Sequence, residues 1–255
     1  MKVKDIARII EAVAPLELQE EYDNAGLQVG DWNQEVTGIV TTLDVTEETL
    51  RLCRTHGANF VVSHHPLLFR GVKQISPQRD YISRIIISAI SQGVAIYSAH
   101  TNLDNAPEGV NMRLCQQLGL CNIEHRAPLM IGELHEEMEA RQFTRLVCEV
   151  LQTPSVATNM ADHCGRKVRR VAVCGGAGED FIAQAAKEGA DAYLTGEVGY
   201  HLFFDHSEML VISAGHYETE QYTSQLLRDL ILEAYPEAKV TVAGKSSPVE
   251  IFVNA

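Results

Sequence analysis

The sequence predicts an α/β protein built from two linked, duplicated lobes, and three observations carry that expectation. Short apolar runs alternate with helical patterns along most of the chain, the signature of a largely parallel sheet covered by helices. "GANFVVSHH" (57–65) and "GADAYLTGE" (189–197) share Gly-Ala-Asn/Asp, three mainly apolar residues and Ser/Thr at one register, 132 residues apart. The same offset, without a gap, lays "IVTTLD" (39–44) on "VAVCGG" (171–176), strand on strand.

Taken in order, "MKVKDIARIIEAVAPL" puts Ile6, Ile9, Ile10 and Val13 on one helical face, interrupted by Asp5 and Glu11. That is an amphipathic helix and not a signal peptide. "TGIVTTLDV" (37–45) reads as a strand, and "TEETLRLCRTHG" (46–57) as a helix with Thr46 as its N-cap and Gly57 at its end. "ANFVVSHHP" is the next strand, "RDYISRIIISAISQG" (79–93) a helix, and "VAIYSAH" (94–100) a strand. "LHEEMEARQFTRLVCEVL" (134–151) predicts a further helix. The strand "VRRVAVCGG" (168–176), the helix "EDFIAQAAKEG" (179–189) and the strand "ADAYLTGE" (190–197) then repeat the scheme. Residues 121–133 read as linker, with a second polar stretch at 152–167. The lobes expected are 1–125 and 126–255, with the C-terminal element able to return to the first.

The 255 residues suffice for one large core or two modest lobes. At 45% apolar and 22% charged the composition is that of a globular protein. A net charge of −13 disfavours nucleic acid and anionic membranes as partners. No apolar run approaches membrane-spanning length. Cys53, Cys115, Cys121, Cys148, Cys164 and Cys174 form no CxxC pair and no dense framework. They read as reduced, mostly buried thiols, and a cytoplasmic location is expected.

Four polar segments each follow an apolar run and so project from a strand end: "SHH" (63–65), "HTNLD" (100–104), "TGE" (195–197) and "GHYETE" (215–220). Strand carboxyl ends are where open α/β sheets place ligands. Pro66 biases His65 toward an extended conformation. The imidazoles of His64 and His65 can then diverge toward two ions, or one can serve a ligand and the other the scaffold. His and carboxylate mixtures without thiolate suit Zn²⁺, Mn²⁺, Fe²⁺, Co²⁺ or Ni²⁺. His216 and Glu220 share a face if a helix begins near Tyr217, and His100 and Asp104 do so if their loop turns sharply. His56, His125, His135, His163 and His206 read as surface or structural residues, with His201 an intermediate case. "CGGAGED" reads as a tight strand-to-helix turn or as a phosphate cradle. "GRKVRR" (165–170) reads as a solvated strand entry, with an anion contact as the alternative.

"DNAGLQVG" (23–30), "SHHP" (63–66), "HTNLDNAPEGVN" (100–111), "LTGE" (194–197) and "GHYETE" (215–220) together resemble the Nif-three-like (NGG-one-interacting factor) family. The resemblance spans nearly the whole chain, is of the short bacterial form, and concerns members widely labelled GTP cyclohydrolase 1 type 2. It implies two duplicated three-layer α/β lobes, a dinuclear metal site in the cleft between them, and a toroidal homohexamer. Carried over, the ligands of the two divalent ions (Zn, Fe, Mn, Co or Ni) fall on His64, His65, Asp104, His216 and Glu220, with a carboxylate bridging. His100 would lie close to the metals.

The function expected is metal-assisted hydrolysis of a small-molecule substrate. On the family label, water would attack the imidazole-ring carbon of guanine in GTP, and formate would ultimately leave. Glu197, in register with His65, is the expected general base or acid. His100, Asn102 and Tyr217 could orient substrate, and the arginines of 166–170 could hold a triphosphate. The competing expectation is a non-enzymatic metal-binding, metal-delivery or partner-binding ring. A third is a phosphatase or other hydrolase with a different substrate.

Overall fold

The computed structural model describes residues 1–163, 165–204, 208–245 and 247–251, without the side chains of 162 and 163. The expectations for Cys164, His206 and the His163 side chain lie outside the described residues. Helix α1 (Val3–Val13) buries Val3, Ile6, Ala7 and Ile10, and Ile9 and Val13 are half-buried at the margin of that stripe. Strands β1 (Gly26–Val29) and β2 (Ile39–Thr42) follow. Helix α2 (Glu47–His56) starts where Thr49 N donates to the Thr46 hydroxyl at 3.2 Å. It ends at Gly57, whose φ of +64° is a left-handed conformation that glycine adopts without steric cost. Next come β3 (Phe60–Ser63), α3 (Tyr81–Gln92), β4 (Ala95–Ser98) and the single turn α4 (Thr101–Asp104).

Beyond α5 (Val110–Gln117) the structure departs from expectation. Residues 121–133 are no linker: β5 (Cys121–Arg126) and β6 (Leu129–Glu139) form an antiparallel hairpin. The helix expected over 134–151 begins only at α6 (Ala140–Leu151). Leu134 and Met138, four apart, mimic a helical face. A register shift between Glu133 and Met138 lets the same residues run on in β6, which pairs there with β8 (Lys167–Cys174). The polar stretch 152–167 contains β7 (Ala157–Thr158) and a short 3₁₀ turn. The chain continues through α7 (Ile182–Lys187), β9 (Ala192–Thr195), β10 (Leu210–Ser213), α8 (His216–Glu220), α9 (Thr223–Ala234) and β11 (Val240–Val242).

The chain is a mixed α/β fold with two sheets in two compact units. One unit is Met1–Ala106 with Thr223–Ser246; the other is Pro107–Tyr222 with Ser247–Ala255. The boundary drawn from sequence at 125/126 falls inside β5, in the second unit, while α9 and β11 belong to the first. The first sheet runs β1-β4-β3-β2-β11, all parallel except β1 at the edge. The second runs β5-β6-β8-β9-β10-β7, with only β8, β9 and β10 parallel.

Strand side chains alternate between two buried faces, which is why the parallel strands read as continuous apolar runs. In the first unit Val40, Val61 and Ile96 pack with Leu50 and Cys53 of α2 and Ile85 and Ala89 of α3. In the second, Val171, Val173, Leu194 and Ile212 meet Leu114, Phe143 and Val147. Ala172, Tyr193 and Val211 face Ile182 and Ala185 on the other side. Both sheets keep one register: Ile39 pairs with Phe60 and Thr42 with Ser63, as Val171 pairs with Ala192 and Cys174 with Thr195. All five described cysteines are unbridged. Burial pushes the Cys53 thiol up to about 11 and that of Cys115 to about 12, which keeps both protonated.

Gly30 has a φ of +116°, and a Cβ there would lie 2.6 Å from Ala95 Cβ. Gly30→Ala should therefore destabilise the first unit by about 3 kcal/mol, read as a lowered denaturation midpoint. Gly244→Ala, in open space, should leave the midpoint unchanged.

Candidate metal centre

In the first unit the parallel strands end level with one another, and each end delivers a polar residue to the same edge. Asp44 follows β2, His64 and His65 follow β3, and His100 follows β4. The Nδ1 atoms of the three imidazoles are all engaged at 2.8 Å: His64 with the Ala99 carbonyl, His65 with Asp44 Oδ1, His100 with Asp23 Oδ1. A carbonyl or a carboxylate only accepts, so Nδ1 carries a hydrogen and Nε2 is the ring nitrogen left to face a ligand. Ring centroids are 5.0, 5.2 and 5.6 Å apart, and ligand atoms of His64, His65 and His100 lie within 4.8 Å of one another. The α4 turn is sharp enough to bring Asp104 Oδ1 to 3.5 Å from His64 Nε2. This donor set can hold a divalent cation.

Asp23 and Asp44 were not read from sequence as site residues. Asp44 carried the same signal as the four polar strand ends, a polar residue closing an apolar run. Asp23 is distant in sequence from His100, and nothing local announces the pairing. Its side chain is wholly buried and accepts from His100 Nδ1, from Thr101 N at 3.0 Å and from the Thr101 hydroxyl. Burial raises its pKa, but the bonds from His100 and Thr101 outweigh burial and hold the carboxyl well below its usual range. Asn102 does not orient substrate from this position. It is fully buried, its amide nitrogen donates to Ala14 O at 2.7 Å, and its oxygen accepts from His100 N at 2.9 Å.

In the second unit the ends of β8, β9 and β10 carry Gly175–Gly176, Gly196–Glu197 and Gly215–His216. Helix α8 begins at His216, so His216 and Glu220 stand one turn apart, with Nε2 to Oε2 at 3.1 Å. Glu220 is nearly fully buried. His216 Nδ1 meets Glu197 Oε1 at 2.8 Å, the same preparation as in the first unit. Gly176 makes room for this pair, because a Cβ there would collide with the Glu220 carboxylate and lie 3.3 Å from His216 Nε2. Tyr217, next to His216, is half-buried.

The glycines of "CGGAGED" serve this packing and not a phosphate. Gly175 N donates to Asn111 Oδ1 at 2.7 Å, Gly176 N to Thr219 Oγ1 at 3.0 Å, and Gly178 N to Thr195 Oγ1 at 3.0 Å. Asn111, within "HTNLDNAPEGVN", is a further residue whose part was not legible locally. The basic cluster is committed elsewhere: Arg166 bonds Glu208, Arg169 lies 3.5 Å from Glu133, and Arg170 bonds Glu124 and the Glu188 carbonyl. It sits at the amino end of β8, roughly 17–30 Å along the chain from Gly175. It therefore cannot hold an anion at these strand ends. His56, His135 and His201 are exposed and His125 is half-buried in β5. His201 packs its ring edge against Tyr200.

A family model described as Duf34/NIF3 (NGG1p interacting factor 3) matches residues 1–248. A Clostridium perfringens protein named GTP cyclohydrolase 1 type 2 homolog is 35% identical over 86% of this chain and 87% of its own length. A Clostridium acetobutylicum protein of the same name is 34% identical over 86% and 85%. The crystal structure of Staphylococcus aureus protein SA1388 superposes with a TM-score of 0.90 at 25% identity over 99% of both chains. A Bacillus cereus protein related to NIF3 has the same fold, with a TM-score of 0.87 at 24% identity over 99% of both chains. Among the described residues, no helix is long and apolar enough to cross a membrane.

Because folding lowers the Asp23 pKa, its contribution to stability is complete above the ordinary value of 3.8 and falls away as pH drops below it. Asp23→Asn should cost about 2 kcal/mol at pH 7 in metal-free protein. The gap in Tm between variant and parent should hold from pH 7 to about pH 4 and narrow steadily from there to about pH 2.5. A gap independent of pH would contradict this account.

Proposed function

Because this chain belongs to the Duf34/NIF3 family, we propose that it is a metal-dependent hydrolase of the GTP cyclohydrolase 1 type 2 kind, acting on a nucleotide or related small substrate. In this reading His64, His65, Asp104, His216 and Glu220 hold two divalent ions, with His64 and His65 each serving one and a carboxylate shared. The two lobes are the products of a duplication, and the protein assembles as a homohexamer. The observation that supports it best is the common preparation of the imidazoles, each locked at Nδ1 and presenting Nε2. Surface histidines have no need of such locking, whereas metal ligands do.

A pair of divalent ions supplies Lewis acidity, making water nucleophilic near neutral pH and polarising the atom under attack. The chain's own residues handle position and protons. Glu197 orients His216 through Oε1, and its side chain is 57% exposed, so Oε2 can exchange a proton with substrate or solvent. His100, backed by the buried Asp23 carboxylate, is the second group able to hold a proton beside the substrate.

The family's own description as an interacting factor favours a second reading, a metal-binding or partner-binding scaffold. Metal analysis of freshly purified protein, followed by a screen of GTP, other nucleotides and phosphate esters with that metal, separates the two. Turnover of GTP supports the first reading. Turnover of another substrate keeps a hydrolase and retires the cyclohydrolase. An intact metal complement with no turnover supports the scaffold. Sedimentation velocity reads the oligomer.

His65→Ala should keep about one of two ions per chain, measured by inductively coupled plasma mass spectrometry. Full occupancy in that variant would contradict the ligand assignment. Gly176→Ala should lower metal content as well, by displacing the Glu220 carboxylate, with the protein still folded by circular dichroism.

A further inference from the structure

The short "DNAGLQ" stretch does more than place Asp23 behind His100. Asn24 Nδ2 donates to the Leu68 carbonyl at 2.8 Å, and Leu68 N donates to Gln28 Oε1 at 3.1 Å. Gln28 Nε2 donates in turn to the Asn24 main-chain carbonyl at 2.6 Å, so the Gln28 side chain also fixes the backbone that carries the Asn24 clamp. Both main-chain groups of Leu68 are therefore held from one segment. Leu67 and Leu68 pack into the core cluster below.

The next residue, Phe69, points out of that core. It is 42% exposed, and its ring stands edge-on to His100 with centroids 5.9 Å apart and to Tyr22 at 6.2 Å. Phe69 thus presents part of its ring to solvent, beside the His100 imidazole and on a backbone clamped at the preceding residue. Arg70 and Lys73 follow immediately, both exposed. Neither makes an ion pair among the described residues. In a chain of net charge −13, an exposed cation next to Phe69 in sequence and a second four residues on suit a ligand both flat and negative.

We propose that Leu68–Lys73 is the substrate-reading segment of the site: Phe69 stacks a planar heteroaromatic ring, and Arg70 with Lys73 take its anionic group. This rests on the functional reading above and assigns the residues that would read the ring and the anionic group of its substrate. It also replaces the 166–170 arginines, which are committed at the far end of β8, as the cations that meet the anion.

The test is equilibrium dialysis at 4 °C of the metal-loaded full chain against GTP, guanosine and inorganic tripolyphosphate, with metal content measured on every sample. Phe69→Ala should weaken GTP and guanosine roughly tenfold, the range seen for loss of one base–aromatic stack, and leave tripolyphosphate unchanged. Phe69→Trp should restore both. Arg70→Gln combined with Lys73→Gln should weaken GTP and tripolyphosphate but not guanosine. Phe69→Ala binding GTP as tightly as the parent, or the parent binding tripolyphosphate as tightly as GTP, would overturn the proposal while the metal reading stands. Parent protein that takes up no metal would overturn the metal reading, with the Phe69 effect on guanosine still measurable.

Discussion

Each imidazole of the two strand-end clusters has its Nδ1–H committed to an acceptor, and what either cluster can bind depends on that commitment. A histidine ring offers two nitrogens and can rotate; only a bond at one of them decides which lone pair is presented and where it points. Here the acceptors are one backbone carbonyl, Ala99, and three carboxylates, Asp44, Asp23 and Glu197. Three of the four stand just past a sheet strand, so the same ladders that build the cores aim the rings. Asp23 is the exception. It reaches His100 from the segment preceding β1.

The two sheets share a strand register and diverge where the strands stop. His64 and His65 stand level with Gly196 and Glu197. The first unit thus puts two rings where the second puts a glycine and the carboxylate that orients its own ring. After the next strand the correspondence slips by one. Ser98 is level with Ser213, which aligns His100 with Gly215 and not with His216. His100 sits just before its helical turn and His216 is the first residue of its own. The extra step is made by Gly215, at φ +96°. That helical start lets His216 and Glu220 share a face.

What was legible in the sequence follows from range. The parallel strands declared themselves because burial on both faces makes them continuous apolar runs, and α2 because Thr46 and Gly57 punctuate it. His64, His65, His100, His216 and Glu220 stood out as polar residues terminating such runs. The β5–β6 hairpin did not, because Leu134 and Met138 satisfy a helical period and a bulged strand alike. Asp23, Asn111 and the Asn24–Gln28 clamp were hidden for another reason. Their partners are remote along the chain, and a hydrogen bond between remote residues leaves no periodic trace.

The first unit is not contiguous. Its fifth strand, β11, and the helix α9 arrive only after the whole of the second unit has been laid down. During synthesis, residues 107–222 emerge as one uninterrupted stretch that can close its own core. The earlier half meanwhile waits with the β2 edge of its sheet open to solvent. An open edge beside a nearly finished core invites association with neighbouring nascent chains. The burden of productive biogenesis therefore falls on residues 223–246, which complete the first sheet.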